Sequence, residues 1–196
     1  MTIQSSRQLI SVDDYHRMAE DGFFAQDERT ELIEGEIVEM TPIGDLHALG
    51  VLRLNLFFHR QLLNRVLVNP QNPVRLGPWS EPQPDVALVA WRDDLYGSTA
   101  PTLQDCHLLV EVSDSSLHYD RRVKMPLYAR HGIPESWILN LPEDVLEVYR
   151  RPGPDGYADV RRFRRGDGVA PEAFPDAVFA VSELLGPGEQ AGVRES

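Results

Sequence analysis

Three residues far apart in the chain carry the side-chain types that metal-assisted chemistry needs. Asp85 follows Pro84 at the entry to the apolar run Val86–Ala90. Glu111 interrupts a second apolar run, Leu108-Leu109-Val110-Glu111-Val112, where its neighbours imply burial. An unpaired buried carboxylate is costly, so Glu111 calls for a cation, a metal ion or a proton. A buried pair with an arginine would satisfy it. So would a divalent cation shared with Asp85 from an adjacent strand, and two carboxylates with water and phosphate oxygens suit Mg²⁺. The third residue is Lys124, the only lysine among 19 basic residues. Surface positions tolerate exchange of Lys for Arg, whereas a site that needs a compact ammonium does not, so the surviving lysine is a candidate for chemistry. Asp120 lies four residues before it; on a helix the two would share a face and could form a surface ion pair.

Elements able to position these residues are legible in the spacing of apolar side chains. Ser11 and Asp14 mark a short helix that Gly22 stops. Residues Thr30 to Met40 alternate acidic and apolar around Glu34-Gly35, the pattern of a β-hairpin. From Asp45 to Asn64 the period becomes helical, with Leu46, Leu49, Leu52, Leu56, Phe57, Leu62 and Leu63 as the expected apolar stripe. Short strands are expected at Val66–Val68 and Pro73–Leu76. The continuous runs Val86–Ala90 and His107–Val112 fit strands buried on both faces. A helix is expected over 119–131, although Pro126 fits poorly inside it. Further strands follow at Trp137–Leu139, Val145–Tyr149 and Tyr157–Phe163, and a last helical turn at Val181–Leu185. The pattern predicts an α/β fold with a mixed central β-sheet flanked by helices, preceded by an N-terminal helix and a β-hairpin. Residues 11–185 form the expected single domain, between a flexible N-terminus (1–10) and a disordered C-terminal tail (186–196).

Composition narrows the function classes. The chain has 196 residues, 42% of them hydrophobic, which is enough for one globular core. Cys106 is the only cysteine, which excludes an internal disulfide scaffold. No apolar run approaches a membrane span, and residues 1–20 lack the order of a signal peptide, so a cytoplasmic protein without membrane association is expected. With 31 acidic residues the formal charge is −12, which argues against coating nucleic acid by bulk charge.

Pro84-Asp85, Glu111-Val112-Ser113 and Asp120-Arg121-Arg122-Val123-Lys124 resemble the active-site signature of the PD-(D/E)XK nuclease superfamily. Five stretches resemble, more narrowly, the Uma-type "putative restriction endonuclease" family: Glu31–Glu36, Glu81–Val86, Leu109–Ser116, Lys124–Ala129 and Gly132–Glu135. The likeness runs from about residue 11 to about 185. It implies a restriction-endonuclease-like core in which Asp85 and Glu111, with Glu31 as a further candidate, bind Mg²⁺ or Mn²⁺ for phosphodiester hydrolysis. The lysine of the common pattern, two residues after the glutamate, is replaced by Ser113. Lys124 on the following helix takes its place, so Asp85, Glu111 and Lys124 are the implied catalytic set. Glu31 lies in the stretch most like the family, and Glu34 and Glu36 compete with it.

Supporting roles are open to Glu31, His47, Gln83, Ser113 and Asp120. His47 opens the long helix and could reach the site or a phosphate. The six histidines and the cysteine show no zinc spacing, and Ser113, Ser115 and Ser116 near His118 lack a nucleophile elbow. For nucleic-acid contact the candidates are Arg121, Arg122, Arg162 and Arg164, with Arg130 and the rest of the run Arg161–Arg165. That run also fits a solvated strand edge. The leading expectation is a Mg²⁺-dependent DNA endonuclease, with RNA left open as a substrate and a homodimer expected. The competing expectation is a non-catalytic nucleic-acid-binding or regulatory module that kept the nuclease fold.

Overall fold

A computed structural model describes residues 9–25, 28–40, 44–97 and 99–188. Most of the expected flexible segments 1–10 and 186–196 therefore lies outside the described residues. The described chain opens with α1 (Val12–Glu20), whose first turn is capped as the sequence predicts: the Ser11 hydroxyl accepts the Asp14 N–H at 3.1 Å. The hairpin follows as β1 (Thr30–Ile33) and β2 (Glu36–Glu39). Glu34 and Gly35 both take positive φ, 49° and 81°, as a two-residue hairpin turn requires.

Next come α2 (Asp45–Leu62), β3 (Val66–Pro70), β4 (Val86–Ala90) and β5 (Cys106–Ser113). A helical crossover then carries the chain to β6 (Glu135–Asn140), β7 (Val145–Gly153) and β8 (Gly156–Phe163). The six strands β3 to β8 form one sheet in sequence order. Every neighbouring pair is antiparallel except β5 and β6, which the crossover makes parallel. The short strands β9 (Gly168–Val169) and β10 (Phe179–Ala180) pair with each other, and α5 (Val181–Leu185) ends the described chain. Pro73–Leu76 is not a strand. Its one ladder contact is an isolated bridge from Arg75 to Thr102, and Pro73 has no N–H to donate.

Alternation along the strands divides the interior into two layers. Val86, Leu88, Val110, Val112, Trp137 and Leu139 face α2 and α5, whereas Ala87, Val89, Leu109 and Ile138 face the crossover. On α2 the buried face differs from the expected stripe. Val51, Leu54, Phe58 and Leu62 point inward, while Leu46, Leu49, Leu52, Leu56 and Leu63 remain 44–67% exposed. Apolar residues surround this helix, so periodicity alone does not choose between its faces. Close approach decides: a Cβ on Gly50 would stand 2.7 Å from Val112 Cγ1, so α2 lies on β5 with Gly50 at the contact.

The crossover also departs from one continuous helix over 119–131. It runs as α3 (Leu117–Tyr119), a wide π-type turn over Asp120–Lys124, and α4 (Met125–Arg130). The Met125 N–H reaches back five residues to the Asp120 carbonyl, and Pro126 sits in the first turn of α4. Pro126 can donate no hydrogen bond and would crowd the carbonyl four residues earlier in an unbroken α-helix. The wider turn relieves that conflict.

Candidate active site

The end of the sheet where β4 begins and β5 finishes supports a cavity of roughly 410 Å³. The β1–β2 hairpin, the first turn of α2 and the π turn enclose it. Glu31, Asp85, Glu111, Asp120 and Lys124 all line this cavity, at 2%, 7%, 2%, 3% and 4% exposure. Each arrives by a different local cause. Glu31 is buried because all four residues of β1 are covered, unlike the alternating burial expected of a two-faced hairpin. Leu32 bridges to Glu81, which ties the hairpin to the segment entering β4. Glu111 shares the crossover-facing side of β5 with Leu109. Asp85 is anchored at the mouth of β4, where its Oδ2 accepts the Val112 N–H at 2.8 Å.

Lys124 does not form the surface pair with Asp120 that their spacing suggests. Both are buried, and the Lys124 ammonium lies 3.3 Å from Glu31 Oε2 and 3.3 Å from Glu111 Oε2, while donating to the Gln83 carbonyl at 3.3 Å. Asp120 instead accepts the hydroxyls of Ser113 and Ser116, each at 2.6 Å. His47, on the inward side of α2, meets Asp85 Oδ1 through Nε2 at 2.8 Å. Gln83 donates its N–H to Glu31 Oε2 at 3.1 Å. Of the two competitors to Glu31, Glu34 pairs with Arg130 at the surface, and Glu36 is exposed on β2; neither lines the cavity.

Charge in this cluster does not balance. Four buried carboxylates surround one ammonium, and Glu39 and Asp114 add two more acids to the cavity wall. Burial pushes the Glu111 carboxyl well above its usual range. Lys124 opposes that shift, and Asp120 and Asp85 reinforce it. Asp120 is also raised, by burial first, although Lys124 and the two serine hydroxyls counter it. Burial works to lower the Lys124 ammonium, but Glu111, Glu31, Asp120 and Asp85 outweigh it and hold the amine firmly protonated. The hydrogen bond to Asp85 raises His47.

The donor set is all oxygen apart from the imidazole of His47, which fits a hard divalent cation. Among the described residues, no three His, Cys, Asp or Glu side chains stand ready as a complete metal cage. That is compatible with Mg²⁺, which takes one or two carboxylates and draws its remaining ligands from water and phosphate.

Three lining or contacting residues carry no signal of their own in the sequence. The Tyr128 hydroxyl donates to Glu111 Oε1 at 2.5 Å, and Tyr119 donates to Glu31 Oε1 at 3.3 Å. Arg29, half-buried at the cavity wall, is the third.

The arginines expected to meet nucleic acid are not gathered at this cavity. Arg121 and Arg162 both close on Glu143 and Glu147. Arg161 pairs with Asp159 and Arg165 with Asp144. Arg122 and Arg164 are exposed and form no ion pair among the described residues. No described helix is long and apolar enough to cross a membrane.

Comparison with known proteins bears on both fold and family. A family model described as "Uma2: Putative restriction endonuclease" matches residues 12–182. The crystal structure of a putative nuclease belonging to DUF820, from Anabaena variabilis, superposes with a TM-score of 0.70 at 15% sequence identity. The match covers 90% of this chain and 97% of that one. At that identity the likeness establishes a shared fold, a mixed six-stranded sheet flanked by helices. No curated protein matches the chain.

Proposed function

The chain belongs to the Uma2 family of "putative restriction endonucleases", and from that premise we propose that it is a Mg²⁺- or Mn²⁺-dependent nuclease acting on DNA. The observation that carries the reading is the surplus of buried acids: Glu31, Asp85, Glu111 and Asp120 stand against Lys124 and the His47 imidazole that meets Asp85. A structural ion pair would match each acid to a cation. This arrangement leaves carboxylates for a cation that arrives from solution.

Asp85 and Glu111 would hold the metal, with Glu31 as the third candidate. The ion supplies Lewis-acid stabilisation of negative charge on the phosphoryl oxygen and the leaving group. Around it the chain's own residues set the geometry. The Val112 N–H and His47 fix the two oxygens of Asp85, and Tyr128 fixes one oxygen of Glu111. Lys124, kept protonated by its neighbours, serves as a point charge that steadies the phosphate as charge accumulates. It does not serve as a general base. Ser113 and Ser116 hold Asp120 beside the cluster, where it adds to the negative potential that draws a cation in.

The test is cleavage of labelled oligonucleotides with Mg²⁺ and Mn²⁺, alongside metal titration by calorimetry. Wild type is expected to cleave only with metal, Asp85→Asn to lose both cleavage and binding heat, and Lys124→Met to lose cleavage. Metal-independent cleavage, or equal heats from wild type and Asp85→Asn, would refute the reading and favour a module that kept the fold without the chemistry.

A further inference from the structure

A second cavity of roughly 490 Å³ adjoins the first, and Arg29 borders both. Gln83 joins them in another way. Its backbone belongs to the acidic cluster, through the N–H on Glu31 and the carbonyl on Lys124, while the residue also lines the second cavity and its side-chain amide donates to the Thr30 carbonyl at 3.2 Å. Among the described residues the second wall carries one carboxylate, Glu28, where the first carries six. Tyr15 and Phe24 line the second wall, with ring centroids 5.4 Å apart. The Tyr15 ring is held in place because its hydroxyl is bonded to the Thr30 carbonyl at 2.9 Å and to Thr30 Oγ1 at 2.7 Å. Phe23 packs edge-on against Phe24 and is 68% exposed.

Charge at the junction points the same way. Lys124 is shared between Glu31 and Glu111, so its single charge is divided before any phosphate arrives. Arg29 is the arginine on the wall of the catalytic cavity, and its guanidinium makes no ion pair among the described residues, although six carboxylates share that wall. A phosphodiester entering so acidic a cavity needs a donor of this kind, and a guanidinium can grip two phosphate oxygens at once.

We infer that the second cavity is a base-binding subsite, which takes the unstacked base of the nucleotide next to the scissile phosphate while Arg29 holds the phosphate between the two cavities. This rests on the nuclease reading of the first cavity. A base enters such a pocket only when it is out of a duplex stack, so the preferred substrate is single-stranded nucleic acid, or duplex with an unpaired nucleotide beside the cut. Stacking on Tyr15 and Phe24 supplies affinity without sequence preference, because every base has a face to offer. The Gln83 amide supplies a polar edge.

The experiment uses the full chain and oligonucleotides carrying 2-aminopurine beside the cleaved bond, in three forms: single-stranded, duplex with that base unpaired, and fully paired duplex. Binding is followed by fluorescence in Ca²⁺ and cleavage by initial rates in Mg²⁺. The first two forms should be quenched on binding and cleaved with at least about tenfold lower KM than the paired duplex. Phe24→Leu should abolish the quenching and raise KM on the single strand about tenfold with kcat little changed. Arg29→Gln should raise KM on all three forms and Arg29→Lys should restore part of it; thermal melting confirms that each variant folds. Equal KM on all three forms, with Phe24→Leu unchanged in KM and fluorescence, overturns the subsite and leaves the nuclease reading standing. Quenching by wild type without cleavage of any form, in Mg²⁺ or Mn²⁺, overturns the nuclease reading and keeps the subsite. Neither quenching nor cleavage overturns both.

Discussion

Glu111 on β5 and Glu147 on β7 stand in one row of the sheet, each in register with Ile138 between them. Both are buried at 2% exposure, yet they are held in opposite states. Glu147 receives hydrogen bonds from Arg121 Nε at 3.0 Å, Arg162 Nη2 at 3.0 Å, Asn140 at 3.0 Å and Tyr149 at 2.7 Å. Although burial works to raise it, these donors, Arg121 foremost, pull its carboxyl down to about 2. Glu111 has one shared ammonium and one phenol, with three other carboxylates close by, and its carboxyl is pushed up. A buried acid that brings its own arginines is part of the architecture. A buried acid left in surplus is poised to take a ligand.

The sharpest way to break this comparison is to neutralise each acid. Glu111→Gln should lower metal-dependent cleavage by about three orders of magnitude, while urea melts show stability unchanged or improved, because repulsion is relieved. Glu147→Gln should keep most of the cleavage rate and lose about 3 kcal/mol of stability, because Arg121 and Arg162 lose their buried partner. Similar activity losses in both variants would erase the distinction.

Metal should sharpen it next. At about one hundred times its dissociation constant, Mg²⁺ should add about 2.7 kcal/mol of stability to wild type at neutral pH. It should add far less to Glu111→Gln, as read from melting temperatures with and without chelator.

pH separates the two regions by sign. Because Glu111 and Asp120 are raised in the folded protein, their contribution is fully present below the unfolded carboxylate range and is lost as pH rises through their elevated values. Glu147 is lowered, so its contribution is present above its unfolded value and is lost only as pH falls toward about 2. Metal-free wild type should therefore lose stability between mildly acidic and neutral pH, and Glu111→Gln should flatten that slope. The smallest effect belongs to Arg164, which is exposed and pairs with neither acid. Arg164→Gln should change stability by less than about 0.5 kcal/mol.

Much of the cluster was legible because its residues violate their surroundings. A glutamate in an apolar run and a solitary lysine each break a local pattern; an aspartate at a strand entry does not, and Asp85 drew its weight from its adjacency to Glu111 and from the Pro84-Asp85 resemblance, yet all three meet in one cavity. Glu31 was singled out by its stretch of sequence, but its burial was hidden by the apparent two-faced alternation of the hairpin. That pattern ignores the Glu81 segment lying across it. The expected stripe on α2 differs from its inward face because exposed leucines surround the residues that point in, and the deciding contact involves a side chain that Gly50 lacks. The arginines near the C-terminal strands looked like a basic surface because the acids that neutralise Arg162 and Arg165, namely Glu143, Glu147 and Asp144, lie fifteen to twenty-one residues earlier on a neighbouring strand and its approach. Arg29 and the tyrosines could not be found from spacing, since their importance depends on what the fold sets beside them.

The turn that joins the Met125 N–H to the Asp120 carbonyl holds more chain per revolution than the helices on either side. Deleting one residue between Arg121 and Val123 would close that turn toward ordinary α pitch, where Pro126 crowds the carbonyl four residues before it, so the segment could not settle without shifting Asp120 against Lys124. Either the acid or the amine would keep its aim, never both. Length here is therefore constrained as tightly as chemistry, and a frame-preserving loss that a surface helix would shrug off would leave this segment folded but misdirected.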